Sequence, residues 1–318
     1  MVKNYTFENG ALKENPTADG CSWIHICPPI SQAEIDSITK KLNFPQDFIT
    51  DSLDVDERSR YEKEDDSNFI LINTPVLNSS DKPNGAIYIT VPIGIVLVDG
   101  IIVTVSHENN PVITKFLDKK VKGFKLDDPR HFVLKIFEQN VLAFLGCLKK
   151  LNLKRNLIEQ ELYNSSRNEE LKQLLRIEKS LVYFVNSLSS NDLLMMKMKR
   201  TDFLKIRDDE ELTDMFEDSI IDSSQALEMS NVYTNILSGT MEAYASIVSN
   251  NLNTFIQRLT IITIILMVPT LVASFYGMNL DYLPMSKNKY AFYLLIFVSI
   301  LIGFILIWFF RRERKSGR

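Results

Sequence analysis

The tripeptide Gly277-Met278-Asn279 lies between two apolar segments of the chain, directly after Tyr276. The side chain of Asn279 offers an amide oxygen that accepts hydrogen bonds without carrying a net charge. At the mouth of a membrane helix, such an oxygen can accept hydrogen bonds from the waters of a hydrated cation. The position of the tripeptide therefore predicts a site that recognises a hydrated cation.

The two segments that flank this tripeptide have the composition of membrane spans. Residues 259–275 contain no charged side chain. This segment is short for a membrane-spanning helix, but the helix predicted before it can continue into it and supply the missing length. Residues 290–310 are also uncharged, and they carry aromatic side chains near both ends, as spans with interfacial belts do. We therefore predict a first transmembrane helix at residues 259–276 and a second at residues 290–310.

The residues after the second segment predict how both segments are oriented across the membrane. Residues 311–318 are rich in arginine and lysine, and such an excess of positive charge next to a span marks the cytoplasmic side. Two crossings return the N-terminal part to the same side, so that residues 277–289 form an external loop. We expect a protein of the cell (inner) membrane with both termini in the cytoplasm.

The N-terminal part, residues 1–128, is predicted to be a cytoplasmic α/β domain. Asp99-Gly100 predicts a two-residue hairpin, and Ser31 followed by Glu34 predicts a capped helix start. His25 is expected to be structural rather than a metal ligand. Short β-rich runs separated by turn signals lie at residues 22–27, 69–75, 86–91, 94–98 and 101–106.

A long stretch almost free of helix breakers follows this domain. No proline occurs between Arg130 and Val268, so long helices are expected. A polar break at Asn164-Ser165-Ser166 divides the first part into a helical hairpin at residues 129–200. Residues 201–258 are predicted to form a stalk helix that continues into the first span. The expected fold class is an α+β membrane protein with a long helical stalk.

Polar residues follow one side of this stalk and of the first span. Their positions recur at alternating steps of three and four residues, which is the repeat of a helix-bundle seam. Such seams usually consist of Leu, Ile and Val, whereas here Ile256 and Met267 are isolated among polar neighbours. We call these positions the polar stripe: Asn235, Gly239, Glu242, Ser246, Ser249, Asn253, Ile256, Thr260, Thr263, Met267, Thr270 and Ser274.

Two interpretations of the polar stripe are open. Small polar side chains permit close packing of membrane helices. Alternatively, the stripe lines a water-filled pore, in which Ile256 and Met267 are constrictions that gate by dewetting. Two spans cannot enclose a pore, so this interpretation requires several copies of the chain. The predicted lining consists of Glu242, Asn253, Ile256, Leu259, Thr260, Thr263, Met267, Thr270 and Ser274.

Composition and motifs argue against two other classes of protein. The formal net charge is -4 and the sequence pI is about 5.6, which disfavours a nucleic-acid-binding protein. The sequence contains no nucleophile motif, phosphate-binding loop or dinucleotide fingerprint, so an enzyme is not expected. The expected partners are the lipid bilayer, divalent cations and other copies of the chain.

Beyond these patterns, the sequence resembles the CorA family of divalent-cation channels. The resemblance rests on Tyr276-Gly277-Met278-Asn279, on Asp281 and Pro284 after it, and on the stalk between Ser238 and Asn253. It implies a homopentamer with a cytoplasmic funnel and a pore lined by the first spans. It also implies that Gly277, Met278 and Asn279 form a selectivity filter for hydrated Mg²⁺. Influx would be driven by the membrane potential, with Co²⁺ and Ni²⁺ as further ions.

The resemblance further implies that cytoplasmic Mg²⁺ closes the channel by binding acidic residues between subunits. Asp51 is the best N-terminal match, with Asp54 and Asp56 as alternatives to it, and Asp218 is the match on the long helix. The expected metal-binding set is Asn279, Asp51, Asp56 and Asp218. Acidic residues recur throughout residues 208–222, and such a run is also typical of a solvated helix face, so Asp218 retains both interpretations.

Two alternative functions follow from the same sequence. The first is a Zn²⁺ transporter of the same fold, which could be coupled to protons. No His or Cys occurs near the predicted pore, and this favours Mg²⁺ over the softer ligand chemistry of zinc. The second is a membrane-anchored α/β enzyme or adaptor with a coiled-coil stalk. That alternative predicts an apolar seam, which the polar stripe does not match.

Overall fold

The structure is a computed structural model, and contacts within it divide the chain into two units, Met1–Met241 and Glu242–Arg318. The first unit holds the sheet and the helical hairpin, and the second holds the two apolar segments. The residues that the structure describes are 1–8, 11–15, 22–79, 84–107, 110–121, 123, 128–164, 168–278 and 289–316.

One seven-stranded sheet forms the centre of the first unit, in the order β2-β1-β3-β7-β6-β5-β4. Strands β3 and β7 are parallel, and the other neighbouring pairs are antiparallel. The edge strands β2 and β4 are rich in charged residues, which discourages pairing with other chains. The strands are β1 Val2–Glu8, β2 Ala11–Asn15, β3 Trp23–Ile26, β4 Arg60–Glu64, β5 Ser67–Leu77, β6 Tyr88–Val98 and β7 Ile101–Ser106.

The hairpin predicted at Asp99-Gly100 is confirmed. Strands β6 and β7 pair on either side of it, and both turn residues have positive φ (49° and 76°), as a type I′ turn requires. The prediction of two strands at residues 86–91 and 94–98 is wrong, because β6 is continuous through Pro92. Strand β7 pairs with β6 only as far as Ile93. Pro92, which has no N–H, therefore lies outside the ladder between β6 and β7 and removes no hydrogen bond from it.

The long helices expected from the scarcity of proline and glycine are present. The capped helix start is also confirmed, since Ser31 Oγ accepts from the Glu34 N–H (3.3 Å) and the Glu34 carboxylate accepts from the Ser31 N–H (2.8 Å). Helix α6 continues through Pro269 without a break. The helices are α1 Gln32–Leu42, α2 Asp47–Asp51, α3 Pro111–Leu117, α4 Pro129–Asn164, α5 Asn168–Thr201, α6 Glu210–Tyr276 and α7 Ala291–Ser316.

The two faces of the sheet are covered by different helices. Alternate strand residues such as Ile93 and Ile95 belong to one core with α3, α4 and α5, and their neighbours Val96 and Val98 belong to another with α1 and α2. Gly94 lies on the second face, where an added Cβ atom would be 1.7 Å from Ser52 Oγ. The absence of a side chain at Gly94 therefore allows the end of α2 to lie directly on the sheet.

His25 is buried within the sheet. Its Nδ1 atom lies 3.0 Å from Thr104 Oγ1, which also accepts a hydrogen bond from Trp23 Nε1 (2.8 Å). Burial lowers the pKa of His25 to about 4, so the imidazole is neutral at neutral pH. These contacts give His25 the structural role expected from the sequence.

A buried amide network completes the sheet where β4 ends. Strand β4 pairs with β5 only as far as the Arg60–Leu71 pair, which leaves the main chain of Asn73 beyond the ladder. The Asn73 N–H donates to Asn191 Oδ1 (3.0 Å), and the Asn73 carbonyl accepts from Asn191 Nδ2 (2.8 Å) and Asn140 Nδ2 (3.0 Å). Side chains of α4 and α5 thus take the place of a neighbouring strand.

The same network holds the loop between α2 and β4. Asn73 Nδ2 donates to the Glu57 carbonyl (3.2 Å), and the Ser59 hydroxyl donates to Asn191 Oδ1 (2.6 Å). The Ser59 N–H donates to Ser190 Oγ (3.1 Å). The loop that carries Asp56 is therefore attached both to the sheet and to α5.

We expect Asn191→Ala to lower the free energy of unfolding by about 2–4 kcal/mol, because the buried Asn73 N–H and the Ser59 hydroxyl lose their acceptor. Chemical denaturation of the full chain in detergent measures this change. Asn231→Ala, at an exposed position of α6, is the control and should change stability by less than about 0.5 kcal/mol. Equal stability of the two variants would contradict the role of the network.

Candidate functional site

Among the described residues, two helices are long and apolar enough to cross a membrane, Pro129–Glu161 and Glu210–Tyr276. The apolar window of the first is 56% buried inside the protein, and its Phe132 and Phe137 belong to the core against the sheet. None of the apolar window of the second is buried. Phe292–Trp308 is a shorter apolar helix. Pro129–Glu161 is therefore a core helix. The apolar parts of Glu210–Tyr276 and Phe292–Trp308 are the segments that the sequence predicts as spans.

In the second unit, α7 packs on one side of α6. An added Cβ atom on Gly303 would lie 3.8 Å from Ile265 Cγ2 of α6. Small residues four apart, at Ser299 and Gly303, let two membrane helices approach closely. This spacing was present in the sequence and was not used in the prediction. The less exposed residues of α7 share one helix face and are Leu295, Ser299, Ile302, Gly303, Leu306 and Ile307.

The polar stripe lies on the other side of α6. All of its residues are exposed in the single chain, including Ile256 (49%) and Met267 (65%). The partly buried residues of the span are Ile261, Ile264, Ile265, Val268, Val272 and Tyr276, and none of them belongs to the polar stripe. Ile261, Ile265 and Val272 lie roughly opposite the stripe at the angular spacing of an α-helix. Helix α7 therefore does not cover the polar stripe. Leu259, the predicted lining residue beside Thr260, is also exposed.

The threonine hydroxyls of the polar stripe are oriented by their own helix. Thr260, Thr263 and Thr270 each donate a hydrogen bond of 2.9 Å to the main-chain carbonyl four residues earlier. Each hydroxyl has one proton, so its oxygen remains available as an acceptor. Waters around a bound cation present their hydrogens outward. The stripe therefore offers the acceptors that such waters need.

Helix α6 ends at Tyr276, directly before the tripeptide Gly277-Met278-Asn279. The Gly277 N–H donates to the carbonyls of Ala273 (2.9 Å) and Ser274 (3.2 Å), and the Met278 N–H donates to the Phe275 carbonyl (3.4 Å). The C-terminal end of a helix carries partial negative charge, which attracts cations. Asn279, Asp281 and Pro284 lie outside the described residues.

The first unit contains an earlier part of α6 with two distinct faces. Its buried face packs on the hairpin, and Phe216, for example, stacks on Phe137 of α4 with ring centroids 6.0 Å apart. The buried residues include Leu212, Phe216, Ser219, Ser223, Ala226, Ser230 and Leu237. The exposed residues of this part follow the same alternating steps of three and four residues as the polar stripe. They are Glu211, Asp214, Asp218, Ile221, Gln225, Glu228 and Val232. Asp218 therefore lies in the same repeat as Glu242.

The N-terminal acidic candidates differ from each other in their contacts. Asp51 Oδ2 lies 2.6 Å from Arg60 Nη2, and Arg60 also pairs with Glu57 and Glu62. Asp56 is exposed, and its N–H donates to Asp54 Oδ1 (3.0 Å). Within the described part of one chain, no group of three or more His, Cys, Asp or Glu residues could hold a metal ion.

A family model described as CorA-like Mg²⁺ transporter protein matches residues 18–312. The chain belongs to this family. The resemblance seen in the sequence is therefore confirmed, and CorA proteins are transporters rather than enzymes.

Known CorA relatives match over most of the chain. The cobalt/magnesium transport protein CorA of Methanocaldococcus jannaschii is 26% identical over 295 residues, covering 92% of this chain and 90% of that protein. The complete structure of the CorA magnesium transporter from that organism has a TM-score of 0.81 at 23% identity and covers 98% of both chains. The ZntB cytoplasmic domain of Vibrio parahaemolyticus has a TM-score of 0.61 at 10% identity, covering 78% of this chain and 98% of that domain, so it shares the fold.

In this CorA chain, the contact between α6 and α7 at Gly303 leaves room for only a small side chain. We expect Gly303→Leu to lower the thermal unfolding midpoint in detergent by several degrees, because a large side chain at the contact with Ile265 separates the helices. Gly303→Ala should unfold near the wild-type midpoint, since its Cβ atom finds an ordinary contact distance. A wild-type midpoint for Gly303→Leu would show that α7 does not pack there.

Proposed function

We propose that this chain forms a homopentameric Mg²⁺ channel in the cell (inner) membrane, with two spans per copy and both termini in the cytoplasm. Residues 259–276 line the pore and residues 290–310 lie outside them. The observation that carries this proposal is the exposure of the polar stripe on the side of α6 away from α7. Polar side chains within a bilayer avoid lipid, so only water and other copies of α6 suit that face.

The interpretation of the polar stripe as a packing surface is less well supported. The helix pair within one chain is packed through Ser299 and Gly303 of α7 and the apolar side of α6. The stripe also contains Ile256 and Met267, whose bulk is unsuited to close packing of identical helices. Around a central axis, the same residues form rings that narrow a wet pore.

Selection of Mg²⁺ is assigned to the filter Gly277-Met278-Asn279. Five copies of Asn279 would present amide oxygens to the water shell of the ion, which Mg²⁺ keeps more firmly than other common cations. The hydroxyl oxygens of Thr270 and Ser274 would receive the hydrated ion next. The transport of cobalt and magnesium named for the relative from M. jannaschii supports these ions as substrates.

The membrane potential is sufficient to drive this transport. A divalent ion that crosses 100 mV gains roughly 4–5 kcal/mol, so inward movement needs no nucleotide hydrolysis. Opening of the pore would be controlled by cytoplasmic Mg²⁺ bound by Asp51 or Asp56 of one copy and Asp218 of another. Asp51 already pairs with Arg60, so a bound ion would share or displace that guanidinium.

A Zn²⁺ transporter of the same fold, which could be coupled to protons, remains the second candidate from the sequence analysis. The sequence from Glu242 to Arg318 contains no His or Cys, which favours a hard cation such as Mg²⁺. Proteoliposomes containing the full chain separate the two candidates. Mg²⁺ entry that follows an imposed voltage and ignores a pH gradient supports the channel, whereas Zn²⁺ entry that requires a pH gradient supports the alternative.

We expect Asn279→Ala to reduce voltage-driven Mg²⁺ entry into proteoliposomes at least about tenfold, since the ring of amides that holds the hydrated ion is lost. The oligomer should stay intact in size-exclusion chromatography. Asn288→Ala, the same substitution elsewhere in the predicted external loop, is the matched control and should leave entry unchanged. Normal entry with Asn279→Ala would remove this residue from the selectivity filter.

We expect Met267→Ala and Ile256→Ala to raise Mg²⁺ conductance several-fold, because each substitution widens an apolar constriction of the pore. Leu266 is the matched control for Met267, since both side chains are 65% exposed and only Met267 belongs to the polar stripe. Single-channel recording in planar bilayers measures the change. A larger effect of Leu266→Ala than of Met267→Ala would mean that a different face of α6 lines the pore.

A further inference from the structure

Arg258 is the only charged residue of α6 between Glu242 and the end of the helix at Tyr276. It directly precedes the apolar segment that is predicted as the first span, and it is exposed. No ion pair or hydrogen bond joins its side chain to another described residue. The proposed ion pathway does not use Arg258, so the role of this positive charge at the end of a span lies elsewhere.

Arg258 lies on the side of α6 that faces away from the polar stripe. It precedes Ile265 by seven residues, which is close to two turns of an α-helix, so both residues share one side. Ile265 contacts α7, since a Cβ atom added to Gly303 would lie 3.8 Å from Ile265 Cγ2. The neighbouring stripe residues Ile256 and Thr260 are each two positions from Arg258, which is about 160° around the helix. Arg258 therefore lies on the side of α6 where α7 packs.

The last part of α7 reaches the same depth as Arg258. In the proposed topology the two spans run in opposite directions, so Arg258, seven residues before Ile265, is level with Phe310, seven residues after Gly303. Helix α7 continues beyond Phe310. Trp308, which is 60% exposed, lies close to this depth, and exposed tryptophan is typical of the interface between membrane and water. Arg258 is therefore at the depth of the lipid headgroups.

The end of α7 adds positive charge at this depth. Arg314 follows Gly303 by eleven residues, about three turns, so it occupies the same side of α7 by helical register. Arg258 and Arg314 thus belong to the sides by which the two helices meet, and like charges repel each other unless an anion lies between them. The sequence supplies one carboxylate against four cations there, through Arg311, Arg312, Glu313, Arg314 and Lys315.

The anion that fits this position is the phosphate of an anionic phospholipid. A guanidinium can donate two parallel hydrogen bonds to phosphate oxygens, which makes arginine well suited to this group. Anionic lipids give the cytoplasmic leaflet its negative surface potential, and basic residues next to a span on that side attract them. At headgroup depth, lipid phosphates are also the anions that surround the helices.

We propose that Arg258 and the end of α7 bind the headgroup of an anionic phospholipid where α6 and α7 meet at their cytoplasmic ends. The phosphate accepts hydrogen bonds from the Arg258 guanidinium and compensates the positive charge of both helices. This site is separate from the pore, because it lies on the side of α6 opposite the polar stripe. The inference rests on the proposed function in one respect, since it needs the two spans and their antiparallel arrangement.

The test uses the full chain in vesicles of brominated phosphatidylcholine with increasing fractions of unbrominated palmitoyl-oleoyl-phosphatidylglycerol. Bromine on the acyl chains quenches nearby tryptophan, and of the two tryptophans Trp308 lies in the span whereas Trp23 is buried in the first unit. Phosphatidylglycerol bound near Trp308 restores its fluorescence, so the recovery gives the relative affinity for the two lipids. We expect wild type to prefer phosphatidylglycerol. Arg258→Gln should reduce that preference about fivefold, the scale of one basic residue at a membrane surface.

Three further variants make the result specific. Arg258→Lys should keep most of the preference, because it retains the charge and loses only the paired hydrogen bonds. Arg314→Gln should reduce the preference as Arg258→Gln does. Arg207→Gln, at an exposed position of the first unit, is the matched control and should bind as wild type. An unchanged preference in Arg258→Gln, or an equal loss in Arg207→Gln, overturns the lipid site.

Inorganic phosphate, compared with chloride at equal ionic strength, separates a lipid headgroup from a free anion. Phosphate should leave the wild-type preference unchanged, and its loss would assign the site to soluble phosphate and overturn the lipid. No measurement here involves Mg²⁺ entry. A preference that is lost in Arg258→Gln therefore supports the site even if the chain moves no Mg²⁺, whereas normal Mg²⁺ entry without any lipid preference overturns the site and leaves the proposed function standing.

Discussion

The structure depends on one constraint, that polar side chains on a helix within a bilayer must be kept away from lipid. Helix α6 carries such side chains along one side of its apolar segment, and α7 packs on the other side. The threonine hydroxyls satisfy their protons within the helix and leave their oxygens as acceptors. This exposed polar face is the basis of the proposal that water and further copies of the chain cover it.

The same small polar residues have two different roles on α6. In the first unit, Ser219, Ser223 and Ser230 are buried, and the hydroxyls of Ser219 and Ser230 donate to carbonyls of their own helix. The residues of the polar stripe are exposed on the opposite side of the repeat. Small polar residues on α6 are thus buried in one part of the helix and exposed in another.

The first unit fixes the acidic loop between α2 and β4 through contacts between distant parts of the chain. Gly94 lets the end of α2 lie on the sheet, and the amides of Asn73 and Asn191 hold the following loop. Arg60 gathers three carboxylates, including Asp51. A carboxylate with a guanidinium partner binds a cation less readily than a free one. The proposed binding of Mg²⁺ by Asp51 would therefore involve competition with Arg60.

The sequence by itself determined the family, the long helices, the capped start of α1 and the hairpin at Asp99-Gly100, because these follow from local signals read along the chain. The sequence did not predict β1, β2 and β4, because these strands are polar and are stabilised by pairing with other strands. It also did not predict that β6 continues through Pro92, which depends on the pairing of β6 with β5. Only the tertiary structure decided that Arg60 pairs with Asp51, that Gly303 meets Ile265 and that Glu159 meets Thr240. Such contacts join residues far apart in sequence, and their geometry depends on the packing of whole elements.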